Sequence, residues 1–203
     1  MRIGCLGWGS LIWNPKGLPV RARWFEDGPL LPIEFARKSS RGRLTLVIVP
    51  TLEEHVRSLW ALFSTGDLAA ACEALRVREG IGKEKAHDIK SWSAGGPGAP
   101  EPSARLVDSH AGAPDPISTV IGAWGSRVGL DAVVWTGLPP GDFGTPPVQR
   151  APTEEEALEY LDSRPHEHRL VAEEYIRRAP VQIDTRLRRC FAAKLGWAPL
   201  PQP

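Results

Sequence analysis

Residues 7–15 read Gly7-Trp8-Gly9-Ser10-Leu11-Ile12-Trp13-Asn14-Pro15, and the fold is read outward from this stretch. Ahead of it, Ile3-Gly4-Cys5-Leu6 is a short apolar run of the kind a buried strand uses, and it ends abruptly at Gly7. Two glycines flanking one tryptophan, with a serine next, let the backbone turn sharply and expose its N–H groups. Consecutive amides aimed the same way, with no Cβ in the approach, form an anion-binding concavity. Trp13-Asn14-Pro15 closes the segment with a turn signal. The same residues also read as an ordinary glycine-rich strand-to-turn junction, so their chemistry depends on what the rest of the chain supplies.

The chain has 203 residues and a net charge of +1. Its length allows a single domain, residues 1–203, with a full core. The near-neutral balance gives no long-range pull toward nucleic acid or an anionic membrane. No apolar run approaches the roughly 20 residues of a membrane span, and the N-terminus enters a strand-like pattern without a signal-peptide stretch. Cys5, Cys72 and Cys190 are odd in number and share no metal-ligand spacing. They read as reduced, buried thiols in a cytoplasmic protein. Trp8, Trp13, Trp24 and Trp60 fall in the first third and are expected in the core rather than along a pocket.

Residues 17–29 are irregular. Residues 30–37 predict a second strand, interrupted by Pro32 so that it sits at an edge or starts at Ile33. The basic turn from Arg37 to Arg43 reads as a solvated hairpin tip, with contact to an anionic substrate or phosphate as the alternative. It leads into strands over 44–49 and 56–63. Residues 67–79 predict the best-defined helix, capped by Ser64, Thr65 or Asp67 and ended by Gly80. Leu68, Ala71, Cys72 and Leu75 mark its buried stripe, with Arg76 and Arg78 directed away. Glu79 falls within that stripe, at the negative end of the helix dipole, where both effects are expected to raise its pKa. Pairing with an arginine is the competing expectation.

Residues 91–116 are dense in Gly, Pro, Ala and Ser and read as a long loop or insertion. A glycine-weakened helix over 117–128 and a strand over 130–138 follow. Thr153 with Glu156 forms a capping box that opens a helical C-terminal part, 153–197, whose glutamates are structural. Further helices are expected over 167–178 and 181–195. His166 and His168 form an H-x-H pair without a carboxylate at ligand spacing, so no metal is expected. Walker, dinucleotide and nucleophile-elbow motifs are absent from the sequence.

The 7–15 loop, the strand ending near Pro50, the 56–63 strand and Arg78-Glu79-Gly80 resemble the gamma-glutamylcyclotransferase superfamily, closest to its glutathione-specific branch. The resemblance covers residues 3–80 and is weaker beyond, in Asp131-Ala132-Val133, 154–161 and Leu195-Gly196. It implies an α+β fold, a small mixed barrel of about five to six strands flanked by helices. It also implies an enzyme that cyclises the gamma-glutamyl group of a small peptide or amine to 5-oxoproline. Glu79 would then be the catalytic base, and Gly7, Trp8, Gly9, Ser10 and Leu11 the substrate-binding loop. Arg37 is a candidate partner for the substrate α-carboxylate. Neither cofactor nor metal is implied, and the partner is a small gamma-glutamyl substrate rather than nucleic acid or membrane. Trp8 stands where the family carries tyrosine, and residues 91–116 have no counterpart. Those departures keep a second reading open, a non-catalytic binding or regulatory module on the same fold.

Overall fold

A computed structural model describes residues 1–39, 42–95 and 115–201. In chain order the strands are β1 (Ile3–Gly7), β2 (Leu30–Leu31), β3 (Ile33–Lys38), β4 (Leu44–Ile48), β5 (Val56–Arg57), β6 (Leu59–Leu62), β7 (Ile89–Ser93), β8 (Ala132–Thr136), β9 (Asp142–Phe143) and β10 (Val148–Gln149). The helices are α1 (Leu68–Glu79), α2 (Pro116–Arg127), α3 (Glu154–Asp162), α4 (His166–Arg178) and α5 (Arg186–Leu195), with a 3₁₀ turn over Lys83–Asp88. The chain is an α+β protein. It divides into two compact units, one of residues 1–7, 15–30 and 57–137, the other of 8–14, 31–56 and 138–203.

In the first unit a four-stranded sheet runs β6-β1-β8-β7. β1 pairs antiparallel with β6 and parallel with β8, and all five of its residues are buried. A strand enclosed on both faces needs a continuous apolar run, which is what Ile3 to Leu6 provides. Helices α1 and α2 both contact β7 and β8. α2 lies close because Gly122 and Gly125 leave room for the buried Trp92 ring. The irregular segment before β2 is held by Asp27, whose carboxylate accepts from the Trp60 indole at 2.8 Å and whose carbonyl accepts from the Trp124 indole at 2.9 Å.

The expected barrel is replaced by one four-stranded and three two-stranded sheets, none of them closed among the described residues. Along β6 the irregular segment makes only isolated bridges, Val20 to Phe63 and Phe25 to Trp60. Five positions separate Val20 from Phe25 but only three separate Phe63 from Trp60, so the two segments fall out of register between the bridges and a continuous ladder does not form.

The second unit is built on the antiparallel β3–β4 hairpin, with a bulge between Phe35 and Arg37. Helix α5 packs on β3 and α4 on β4, with α3 against both helices. Phe35 makes edge contacts with Tyr175 and Phe191, at centroid distances of 6.3 and 5.9 Å. The buried Arg188 guanidinium donates to the carbonyls of Ala179, Pro180 and Ile183, tying α5 to the turn before it.

Several sequence expectations need correcting. The 56–63 strand breaks at Ser58, whose N–H and hydroxyl both go to the Pro29 carbonyl instead of a ladder partner. The 91–116 segment is not wholly loop: β7 runs to Ser93 and α2 begins at Pro116, while residues 96–114 lie outside the described residues. β7 escapes a period-two reading because only Trp92 of its five residues is buried. The last helix begins at Arg186 rather than 181, because Thr185 supplies its cap. By contrast, Asp67 caps α1 through the N–H groups of Ala69 and Ala70, and Gly80 ends it with φ +69°, as the composition predicts. Thr153 and Glu156 form the capping box of α3. No helix among the described residues is long and apolar enough to cross a membrane.

Candidate functional site

Beyond Gly7 the chain winds through two overlapping turns. The Ile12 N–H donates to the Gly9 carbonyl at 3.0 Å and the Asn14 N–H to the Ser10 carbonyl at 2.9 Å. Leu11 is drawn into the core of the second unit and Trp8 is 5% exposed. The Trp8 indole is a structural anchor, donating to the Leu46 carbonyl of β4 at 3.2 Å. The N–H groups of Gly9 and Leu11 donate to no acceptor among the described residues. A buried amide without an acceptor is costly, which makes these two donors ready to hold a ligand oxygen.

Gly9 is required for a second reason. A Cβ at this position would fall 2.5 Å from the Tyr175 hydroxyl. That hydroxyl accepts the Leu46 N–H at 3.3 Å, so one residue of β4 bonds both Trp8 and Tyr175 beside the loop. Tyr175 also meets the Trp13 ring edge-on at 5.6 Å and lies under the Arg43 guanidinium at 5.3 Å. The sequence reading missed this phenol, because α4 carries it only as one more apolar position on an amphipathic helix. Its contact with Leu46 spans 129 positions.

Arg37 is half-buried and donates to the Pro139 carbonyl at 3.1 Å. Its neighbour Lys38 donates to the Asp142 carbonyl at 2.8 Å, and the Arg43 Nε donates to the Ser39 hydroxyl at 3.3 Å. The basic turn therefore spends its described cations within its own unit. Ser40 and Arg41 lie outside the described residues.

In the first unit Gly7 ends β1 and Glu79 ends α1. Here the arginines differ from expectation. Arg76 and Arg78 do not point away: their side chains are 12% and 6% exposed. Arg76 turns back to Glu73 and to the Ile81 carbonyl, whereas Arg78 Nη1 donates to Glu79 Oε1 at 2.6 Å. Glu79 is thus the arginine-paired carboxylate of the two alternatives. Burial first, then the nearby Glu79 carboxylate, push the Cys5 thiol up, which sets Glu79 within electrostatic reach of β1 two residues before Gly7. Cys5, Cys72 and Cys190 are free thiols. Among the described residues no group of three or more His, Cys, Asp or Glu is arranged to hold a metal ion.

A second carboxyl went unnoticed in the sequence. Glu34 on β3 is 2% exposed and faces the first turn of α5. Burial raises its pKa, opposed by hydrogen bonds from the Thr185 hydroxyl, the Phe35 N–H and the Leu187 N–H. The available signal was strand alternation, which puts Glu34 on one face with Ala36. Comparison of the chain with protein-family models, curated proteins and solved structures found no match in any of the three.

Proposed function

We propose that the protein is a gamma-glutamylcyclotransferase-type enzyme, acting in the cytoplasm on a small gamma-glutamyl peptide or amine, with glutathione the first candidate. The observation that carries this reading is the buried turn at Gly9 and Leu11, whose main-chain donors have no acceptor among the described residues. Such donors stabilise an oxyanion as charge develops on a carbonyl oxygen. In the reaction the substrate α-amine attacks its own γ-carbonyl. A lactam C–N bond forms, the original amide C–N bond breaks, and the proton lost by the attacking amine is returned to the leaving nitrogen. Because the reaction is intramolecular, holding the bent conformer supplies much of the acceleration, with effective molarities of about 10⁵–10⁸ M in well-oriented systems. The resemblance assigns the proton transfer to Glu79, whose position at the end of α1 before Gly80 agrees with the family pattern. General acid–base transfer of this kind contributes about 10²–10⁴-fold. The Tyr175 hydroxyl packs close against Gly9, where a Cβ would fall 2.5 Å from it.

The test is a 5-oxoproline assay with a panel of gamma-glutamyl peptides and amines. Product release by the wild type, lost by at least about 10²-fold in a folded Glu79→Gln variant, is the expected result. Undiminished turnover in that variant removes Glu79 from the mechanism, and absence of product across the panel defeats the enzyme reading.

A second reading, a binding or regulatory module, is favoured by one contact: the Arg78 guanidinium already occupies a Glu79 oxygen at 2.6 Å. It predicts a stabilising ligand recovered chemically unaltered after incubation. Mass spectrometry of the recovered ligand separates the two readings.

A further inference from the structure

Inside the second unit, Tyr175 joins the glycine loop to a cation. Its hydroxyl lies against Gly9, and its ring lies under the half-buried Arg43, whose guanidinium carbon stands 5.3 Å from the ring centre. The backbone that carries Arg43 is held in place. The Ser39 N–H donates to the Arg43 carbonyl at 2.9 Å, and the Gly42 N–H donates to the Ser39 carbonyl at 3.0 Å. The Ser39 hydroxyl accepts both the main-chain N–H and the Nε–H of Arg43 at 3.3 Å. Nε is the only side-chain donor of Arg43 with an acceptor among the described residues, and no carboxylate there pairs with it. The side chains nearest Gly42 at this tip, Arg164 and His168, bring no negative charge. Arg37, by comparison, is tied to the Pro139 carbonyl. One phenol thus has unpaired main-chain donors at its hydroxyl end and, over its face, a guanidinium whose Nη groups have no acceptor.

We propose that Arg43, in place of Arg37, takes the α-carboxylate of the gamma-glutamyl group, while the Gly9 and Leu11 amides take its γ-carbonyl oxygen. The inference rests on the cyclotransferase-type reading and adds its specificity. The site selects compounds whose glutamyl end carries a free α-carboxylate. The planar Nη pair matches a carboxylate through two parallel N–H···O bonds. Nε stays on Ser39 and the guanidinium stays over Tyr175, so neither contact has to break when the carboxylate arrives. A side chain already held in this way gives up little freedom on binding.

The full chain is given glutathione and the analogue whose glutamyl α-carboxylate is a carboxamide. Calorimetry reads binding, and release of cysteinylglycine, the leaving group of both compounds, reads turnover. Wild type is expected to favour glutathione by at least about tenfold in Kd and in KM, as charge-assisted hydrogen bonds contribute. Arg43→Gln should weaken glutathione and abolish the preference, with kcat altered far less than KM. Lost packing on Tyr175 or Ser39 would weaken both compounds equally. Arg43→Lys, which keeps the charge without the fork, should retain only part of the preference and serves if the glutamine variant does not fold. A preference undiminished in either folded variant, or an equal effect on both compounds, overturns the proposal and leaves the enzyme reading in place. Carboxylate-selective binding that depends on Arg43, without dipeptide release, supports the proposal and counts against the enzyme reading. Absence of saturable glutathione binding overturns the proposal.

Discussion

The Thr185 hydroxyl donates to the Glu34 carboxylate at 2.5 Å, joining the cap of α5 to β3 across 151 positions of sequence. The same hydroxyl accepts the Arg188 N–H at 3.2 Å, so it acts as helix cap and carboxylate donor together. Glu34 completes the arrangement by accepting from the Phe35 N–H at 2.7 Å and the Leu187 N–H at 3.2 Å.

Replacing Glu34 with alanine leaves three donors at a buried position without an acceptor. Each such group costs about 1–3 kcal/mol, so Glu34→Ala is expected to destabilise the protein by about 3 kcal/mol or more. Urea denaturation measures it. A loss below about 1 kcal/mol would mean that water reaches these donors.

Glu34 and Glu156 should titrate with opposite effects on stability. Burial raises the Glu34 pKa above its ordinary 4.5, so its contribution is present below that value and is lost as pH rises through the folded one. Glu156 is held down to about 2, chiefly by Arg150 and then by the Thr153 N–H, so its contribution is present above 4.5 and lost as pH falls toward 2. Unfolding midpoints of Glu156→Gln should therefore lose less than wild type between pH 4.5 and 2. Those of Glu34→Gln should gain on wild type as pH rises from 4.5. Parallel curves for wild type and either variant would contradict that assignment.

Gly9→Ala brings a Cβ to 2.5 Å from the Tyr175 hydroxyl, while the next ring atom lies at 3.4 Å. The substitution should destabilise the protein by about 1–3 kcal/mol, the usual cost of overpacking. Tyr175→Phe in the same chain should recover part of it. A double-mutant cycle with a coupling below about 0.5 kcal/mol would show that the loop and the phenol do not press on each other.

Gly122→Ala sets helix propensity against packing. Alanine gains about 1 kcal/mol in a helix interior. The new Cβ, however, would lie 2.5 Å from the indole nitrogen of Trp92, a ring that is 1% exposed and has no room to move. Packing should win, and a thermal midpoint below wild type is the expected outcome.

Local signals made the helices legible. Asp67 and Gly80 bracket α1, and Thr153 with Glu156 opens α3, because a cap is decided within four residues. Pro32 divides β2 from β3 for an equally local reason, its missing N–H. The glycine loop could be recognised as a donor array from its composition, and the end of β1 at Gly7 from its apolar run.

Tertiary structure alone decided which groups those elements meet. Arg78 turns back onto Glu79 although helical spacing directs it elsewhere, because a long side chain bends toward a charge that the helical wheel does not register. The Trp8 indole, the Tyr175 hydroxyl and the Glu34 carboxylate each find a partner 38 to 151 positions away, in contacts that neither periodicity nor capping encodes. Hydrogen bonds at that separation form only when the chain packs. The sequence by itself therefore determined the elements and the donor loop, and packing determined the strand β7, the open sheets and the partners of every buried polar side chain named above.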